Sequence, residues 1–390
     1  MNFEIPQQIN KIIKKLEYAG FEAYMVGGCV RDILMGLTPH DYDITTSALP
    51  HQIKELFEKT VDTGIKHGTV TVIFDNMPVE ITTYRCESGY SDNRRPDKVN
   101  FVSDLSEDLS RRDFTVNAIC YNEKEGFKDL FGGIEDIKNK TLKAVGEAEI
   151  RFNEDALRIL RLFRFSSVLG FDIEKITFEA AINTISLIKN ISCERIAEEL
   201  KKASLGNNIK ALELFINSKG LIHLGVENCR DLSPITQLDK KSELRLFALL
   251  SLCDCDKIKV AKNLKLSNKM LEYISILDRL ISSQFPVSKE QIKQMLGFCE
   301  CEQFCDYLEY LEKIKNINCH NTRILLKEIL DNNEPYKISH LNISGDDVLA
   351  LGFSHKAVGD ALKFLLSEVI VNPATNEKSG LIKKLKDYSN

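Results

Sequence analysis

Proline is scarce in this sequence, at 9 of 390 residues, and glycine is modest at 20, which excludes a collagen-like or low-complexity chain. No internal repeat or biased tract interrupts it. It has no unbroken apolar run long enough to span a bilayer and no N-terminal signal peptide, so the expectation is a cytoplasmic protein without a membrane partner. Paired C-x-x-C halves are missing too. The eleven cysteines are scattered, and neither Cys253 with Cys255 nor Cys299 with Cys301 and Cys305 has the spacing of structural zinc ligands. They read as reduced thiols. Nor is there an excess of basic residues: 52 Lys and Arg stand against 57 Asp and Glu, a net charge of −5. Nucleic-acid contact must then rest on local clusters, and arginines do gather between Arg85 and Arg164.

What is present is the composition of a soluble globular protein, 43% hydrophobic and 28% charged, long enough for two to four domains with separate cores. Residues 1–145 read as α/β. An amphipathic helix carrying Ile9, Ile12, Ile13 and Leu16 precedes a strand at 23–26, and further strands follow at 41–46, 69–74 and 78–84. The last two are rich in β-branched residues and are separated by Asp75-Asn76, which suits a tight turn. From about 148 onward the periodicity is almost entirely helical. Punctuation at Gly146, at Gly206-Asn207-Asn208 and at Asn332 to Pro335 divides the chain into 1–146, 147–206, 207–333 and 334–390.

The most informative stretch is GGCVRDILMGLTPHDYDIT, residues 27–45. Gly27-Gly28 would let the backbone approach a triphosphate, and the following helix start with Arg31 would neutralise it. On a strand running from 41, Asp41 and Asp43 point the same way, and two adjacent carboxylates repel unless a cation lies between them. Mg²⁺ favours such carboxylates together with substrate phosphate oxygens. The plain alternative is a βα turn followed by a polar strand. Glu80, central in the strand 78–84, is a third carboxylate of the catalytic site, or else a structural partner of Arg85.

Two further stretches carry chemistry. In Arg111-Arg112-Asp113-Phe114-Thr115-Val116-Asn117-Ala118 two arginines precede a helix start with Asp113 and Thr115 as capping candidates. The arginines suit phosphate oxygens, and Asn117 suits a ribose hydroxyl or the phosphate loop. In Arg151 to Arg164, Asp155 and Arg158 are i, i+3 neighbours if one helix runs through, with Arg161 and Arg164 continuing the row. A capped surface helix and a solvated salt-bridge row are the ordinary explanations of these two. A polar loop, about 86–98, carries Arg94, Arg95 and Asp97.

GG-x-V-R-D with D-x-D resembles motif A of the DNA polymerase β-like nucleotidyltransferases, and R-R-D-F-T-x-N-A and E-D-x-x-R resemble motifs B and D of the class II tRNA nucleotidyltransferases and bacterial poly(A) polymerases. That resemblance implies an α/β nucleotidyltransferase head with a mixed sheet, followed by an all-α neck, body and tail. It implies template-independent addition of C, C and A from CTP and ATP to the tRNA 3′ end, with Mg²⁺ on Asp41 and Asp43. Asp155 and Arg158 would read the Watson–Crick edge of the incoming base, Arg161 and Arg164 would contact the nucleotide or fix that pair, and loop 86–98 would help the switch from C to A. Ile191 to Ile196 looks like motif E, and 343–359 resembles the tail of Gram-positive enzymes, apart from Ser-His-Lys-Ala at 354–357. A poly(A) polymerase, a partial CC- or A-adding enzyme, or a silent RNA-binding protein on the same scaffold are the alternatives. Monomer and dimer both stay open.

Overall fold

The computed structural model describes residues 5–89 and 98–388. By its internal contacts the chain forms two compact units, Met1–Leu232 with Cys253–Cys255 and Asn263–Lys265, and Ser233–Leu252 with Asp256–Lys262 and Leu266–Asn390.

The first unit opens with α1 (Gln7–Tyr18), whose buried stripe is the expected Ile9, Ile12, Ile13 and Leu16. Strand β1 (Ala23–Val26) is buried along its whole length, as a central strand must be, and leads into α2 (Gly28–Leu34). After β2 (Asp43–Thr46) and α3 (Pro50–Leu56) come β3 (Thr60–Gly64), β4 (Thr69–Phe74) and β5 (Met77–Thr83). The β4–β5 hairpin turns on Asp75 and Asn76 at φ 48° and 64°, the paired positive values of a two-residue hairpin loop. Strands β6 (Arg85–Ser88) and β7 (Lys98–Phe101) pair separately, and α4 (Leu105–Ser110) precedes β8 (Ile119–Asn122) and β9 (Gly126–Asp129). The main sheet has seven strands in the order β3-β4-β5-β2-β1-β8-β9. It is mixed: β2 runs parallel to β5, and the other pairs are antiparallel.

The sequence reading of a loop over 86–98 is corrected at its ends. Arg85 to Ser88 and Lys98 to Phe101 form an antiparallel ladder, because alternation across four register pairs satisfies their backbone groups. Arg94, Arg95 and Asp97 lie outside the described residues.

After α5 (Gly133–Lys138) the unit continues as helices: α6 (Ala148–Glu154), α7 (Leu157–Leu169), α8 (Lys175–Asn183), α9 (Cys193–Ser204) and α10 (Lys210–Asn217). Phe163 of α7 packs on Phe178 and Phe215, with ring centroids 6.3 and 5.0 Å apart. Gly206 allows the chain after α9 to reach α7, since a Cβ there would stand 2.2 Å from Ser167 Oγ.

The second unit holds α11 (Ser242–Ser251), most of α12 (Lys257–Asn263), α13 (Asn268–Ser282), α14 (Lys289–Leu296), α15 (Cys301–Ile314), α16 (His320–Asp331), α17 (Gly345–Ala350), α18 (His355–Val371) and α19 (Lys378–Tyr388). Two of its buried charges are paired: Asp306 accepts from Lys241 and Tyr273 at 2.8 Å each, and Lys293 meets Glu334 at 2.6 Å, while buried Arg245 donates to the Leu238 and Thr236 carbonyls. Among the described residues no helix is long and apolar enough to cross a membrane.

Candidate active site

Parallel pairing of β2 and β5 sets Asp43 directly beside Glu80, and antiparallel pairing of β1 and β2 sets Asp43 opposite Val26, the residue before the diglycine. The expectation that Asp41 and Asp43 share a strand is corrected. Asp41 is exposed in the bend before β2, and Asp43 is its first residue, so the two carboxylates approach through the bend and not through pleat alternation. Burial, followed by the negative charges of Asp41 and Glu80, pushes the Asp43 carboxyl up to about 6, while Arg112 pulls the other way. Three carboxylates thus gather at this corner of the sheet beside Arg112.

Gly27 sits where this charge gathers. Its φ is +81°, and a Cβ there would stand 3.3 Å from Arg112 Nη1 and 4.0 Å from Asp43 Oδ2. Glycine keeps that opening free and supplies the left-handed turn. At Gly28 a Cβ would meet Arg31 Nη2 at 3.6 Å. Glu80 is exposed, and Arg85 turns elsewhere, its guanidinium donating to the His67 carbonyl and its backbone N–H to Asp108.

The two arginines of Arg111-Arg112-Asp113 follow α4 and do not precede a helix, which corrects the sequence reading. Asp104 caps α4 by accepting from Ser106 N, Phe114 is extended, and only a short 3-10 turn covers Thr115–Asn117. That arrangement depends on Asp108, which sequence reasoning missed. Its side chain is fully buried and accepts from Arg111 Nη2 at 2.7 Å, Thr45 Oγ1 at 3.0 Å and Arg112 Nη2 at 3.4 Å. Burial alone would raise its pKa, but Arg112 and Arg111 hold it low. The available signal was its spacing, three and four residues before two arginines on a helical turn. Arg112 Nε is buried with no hydrogen-bond partner, while its Nη1 lies beside Gly27.

A second network braces the first. Arg31 is buried and donates to Asp32 Oδ1 through Nε (2.9 Å) and Nη2 (2.7 Å), and to Asn117 Oδ1 at 2.7 Å. Asn117 donates to Asp113 Oδ1 at 3.1 Å, and Asp113 Oδ2 accepts from Arg161 Nε at 2.8 Å. Burial would raise the Asp113 carboxyl, yet Arg161 and the Asn117 hydrogen bond hold it down at about 2. Phe165, also missed from the sequence, lies under three guanidinium groups: Arg164 at 3.9 Å, Arg161 at 5.1 Å and Arg31 at 5.3 Å. Arg164 also meets Glu199 Oε2 at 2.5 Å.

The single helix expected through Glu154, Asp155 and Arg158 is broken. Asp155 terminates α6 with extended backbone, and α7 starts at Leu157, whose N–H donates to the Asp155 carboxylate at 3.0 Å. A short acidic side chain that satisfies an orphan N–H favours such a break. Asp155 therefore faces Arg195 at 3.8 Å, while Arg158 pairs with Glu154 Oε2 at 2.7 Å. Arg158 also donates to the carbonyls of Arg151 (3.1 Å) and Arg111 (2.8 Å), tying this helix to the Arg111-Arg112 segment. Burial raises the Asp155 carboxyl, with Arg195 opposing. Arg195 was legible only as part of the motif E likeness.

The family model described as "Poly A polymerase head domain" matches residues 23–143, and that described as "Probable RNA and SrmB- binding site of polymerase A" matches 170–219. The CCA-adding enzyme of Leuconostoc mesenteroides subsp. mesenteroides is 36% identical over 402 residues, covering 99% of this chain and 98% of that one. The chain belongs to the CCA-adding enzyme family. A Lactobacillus delbrueckii subsp. bulgaricus CCA-adding enzyme is 55% identical over 205 residues, a match to 53% of this chain and about half, 52%, of that protein. The solved structure of the Bacillus stearothermophilus CCA-adding enzyme in complex with CTP superposes with a TM-score of 0.84 at 30% identity, covering 98% of this chain and 97% of its own. The fold expected from the sequence, a mixed-sheet head followed by helices, is the fold of this family. Its members are nucleotidyltransferases and use divalent metal ions.

Among the described residues no three His, Cys, Asp or Glu side chains are gathered to hold a metal ion. Two carboxylates supported by substrate oxygens are a different arrangement, and the raised Asp43 carboxyl, with hard oxygen donors beside it, fits a small divalent cation.

Proposed function

We propose that this protein adds C, C and A from CTP and ATP to the 3′ end of tRNA, in the cytoplasm and without a nucleic-acid template, releasing pyrophosphate. The observation that carries this is Asp43 beside Glu80 in register, with Asp41 adjacent and Gly27 open in front of them, in a chain alignable end to end with a CCA-adding enzyme. Asp41 and Asp43 would hold Mg²⁺, which when bound activates the attacking hydroxyl and offsets charge on the triphosphate. Gly27 and Gly28 admit the phosphates, and Arg112, aimed by Asp108, donates to their oxygens. Arg31, Asn117, Asp113 and Arg161 keep the head side of the pocket fixed to α7, with Arg164 and Phe165 beneath.

Asp155 and Arg158 are the base-reading pair in this proposal. A carboxylate accepts from an exocyclic amino group, and guanidinium donates to ring nitrogen or carbonyl oxygen. Arg195 and Glu154 hold the two side chains until a base takes their place. In this reading 1–146 is the head, 147–206 the neck, and 207–333 and 334–390 the body and tail that grip tRNA.

The test is a tRNA lacking its CCA end, incubated with CTP, ATP or both, and sized to one nucleotide. Stopping at CC with CTP alone and at CCA with both is the expected result. A long A tract would make it a poly(A) polymerase, and no extension would leave an RNA-binding scaffold. Chelation should abolish extension, and added Mg²⁺ should restore it.

A further inference from the structure

We propose that Cys229 and Cys253 form a modification site that hydroperoxides close into a disulfide. Both residues belong to the first unit, where they face one another across an antiparallel bridge. The flanking hydrogen bond runs from Asp254 N to the Asn228 carbonyl at 2.8 Å, so the cysteines occupy the non-hydrogen-bonded position. Such pairs have Cα atoms about 4.5 Å apart with the side chains close. That separation lies inside the span of about 4.4–6.8 Å that disulfides need, so closure requires little backbone movement. Neither thiol is bonded to another now.

The surroundings of both thiols are polar and reachable. Asn217 Oδ1 accepts from the Cys229 backbone N–H at 2.9 Å and lies 3.6 Å from its sulfur, and the Glu213 carbonyl lies 3.8 Å from that sulfur. Both cysteines are partly exposed, so a small oxidant can reach them. The hydrogen bond with Cys229, then burial, push the Cys253 thiol pKa up. The two sulfurs face one another across the bridge, so whichever is oxidised first has the other at hand to close the bond.

The chemistry balances with one hydroperoxide. One of the two sulfurs, as its thiolate, attacks the peroxide, forming an S–O bond as O–O breaks, and the departing oxygen takes a proton to leave as water or alcohol. The other thiol then attacks that sulfur, losing its proton to the leaving hydroxide, so S–S forms, S–O breaks and water departs. The peroxide is reduced by two electrons, and the two thiols are oxidised. The chain leaves the first unit after Leu232 and returns at Cys253, so the link closes covalently around the whole excursion Ser233–Leu252.

The test uses the full-length reduced protein, freed of reductant, treated with stoichiometric hydrogen peroxide, alkylated and mapped without reduction. A peptide linking Cys229 to Cys253 and a fall from eleven to nine alkylatable thiols, both reversed by dithiothreitol, are expected. Cys255→Ser should keep the link, and Cys253→Ser should leave Cys229 as a sulfenic acid trappable by dimedone. Linkage through Cys255 in the native protein would overturn the proposal. So would persistence of all eleven thiols, or sulfenic acid on Cys229 with no crosslink. Because the unsubstituted protein carries the main measurement, poor folding of a variant does not affect it.

Discussion

Arg161 grips one oxygen of Asp113 with two nitrogens, Nε at 2.8 Å and Nη2 at 2.7 Å, and that contact fastens α7 to the segment carrying Arg112. Its other end runs through Asn117 to Arg31 on α2. The three stretches that stood out in the sequence are thus one continuous hydrogen-bonded structure.

This pair should be visible in acid. The folded Asp113 carboxyl sits at about 2, below its ordinary 3.8, so its contribution is complete above about pH 4 and is lost as pH falls toward 2. Asp113→Asn should lower stability at pH 7 by roughly 2 kcal/mol, because the partly buried Arg161 loses its counter-charge. Urea midpoints measured from pH 7 to pH 2 should show the gap between wild type and variant narrowing at the acid end. A constant gap would show that charge at Asp113 is not what the contact supplies.

Replacing Asp41 or Asp43 by Ala should reduce nucleotide addition by about 10³-fold or more, since metal-type charge stabilisation is worth several kcal/mol. Circular dichroism should stay unchanged, because Asp41 is exposed and Asp43 is the partly exposed first residue of its strand. An Asp41→Ala enzyme that still extends tRNA at a substantial rate would remove Asp41 from the metal site.

Substitution of Arg158 by Ala should relax nucleotide choice by roughly 1–3 kcal/mol per lost base contact. Competition among the four triphosphates reads this directly. Undiminished preference for CTP and ATP over UTP and GTP would show that Arg158 serves only to join Glu154 and the Arg111 carbonyl.

Phe165→Leu keeps apolar volume and removes the ring face beneath Arg31, Arg161 and Arg164. Cation–π contacts contribute about 0.5–2 kcal/mol each, so a loss of roughly 1–3 kcal/mol is expected in urea unfolding, with Phe165→Tyr near wild type.

Replacing residues 90–97 by Asn-Gly, which keeps a connection long enough for the paired strands β6 and β7, should spare C addition and suppress the final A. Products ending in CC after incubation with both nucleotides support a switching role, a conformational step separate from the chemistry. Unchanged synthesis of CCA would make the segment a passive connection.

The sequence by itself determined the chemistry and the broad architecture: GG-x-V-R-D with D-x-D, R-R-D-F-T-x-N-A and E-D-x-x-R name donor and acceptor types, and the change from strand to helical periodicity near 146 divides sheet from helices. Local signals of this kind survive because period and side-chain type are set within a few residues. Only the tertiary structure decided who partners whom. Glu80 and Asp43 are 37 positions apart along the chain and meet through strand register. Asp155 meets Arg195 and Arg158 meets Glu154 across a backbone break that separates α6 from α7. Asp108 and Phe165 looked like ordinary helix residues until folding surrounded them with arginines. Register, helix breaks and long-range charge pairing depend on which elements pack together, and no short window of sequence contains that information.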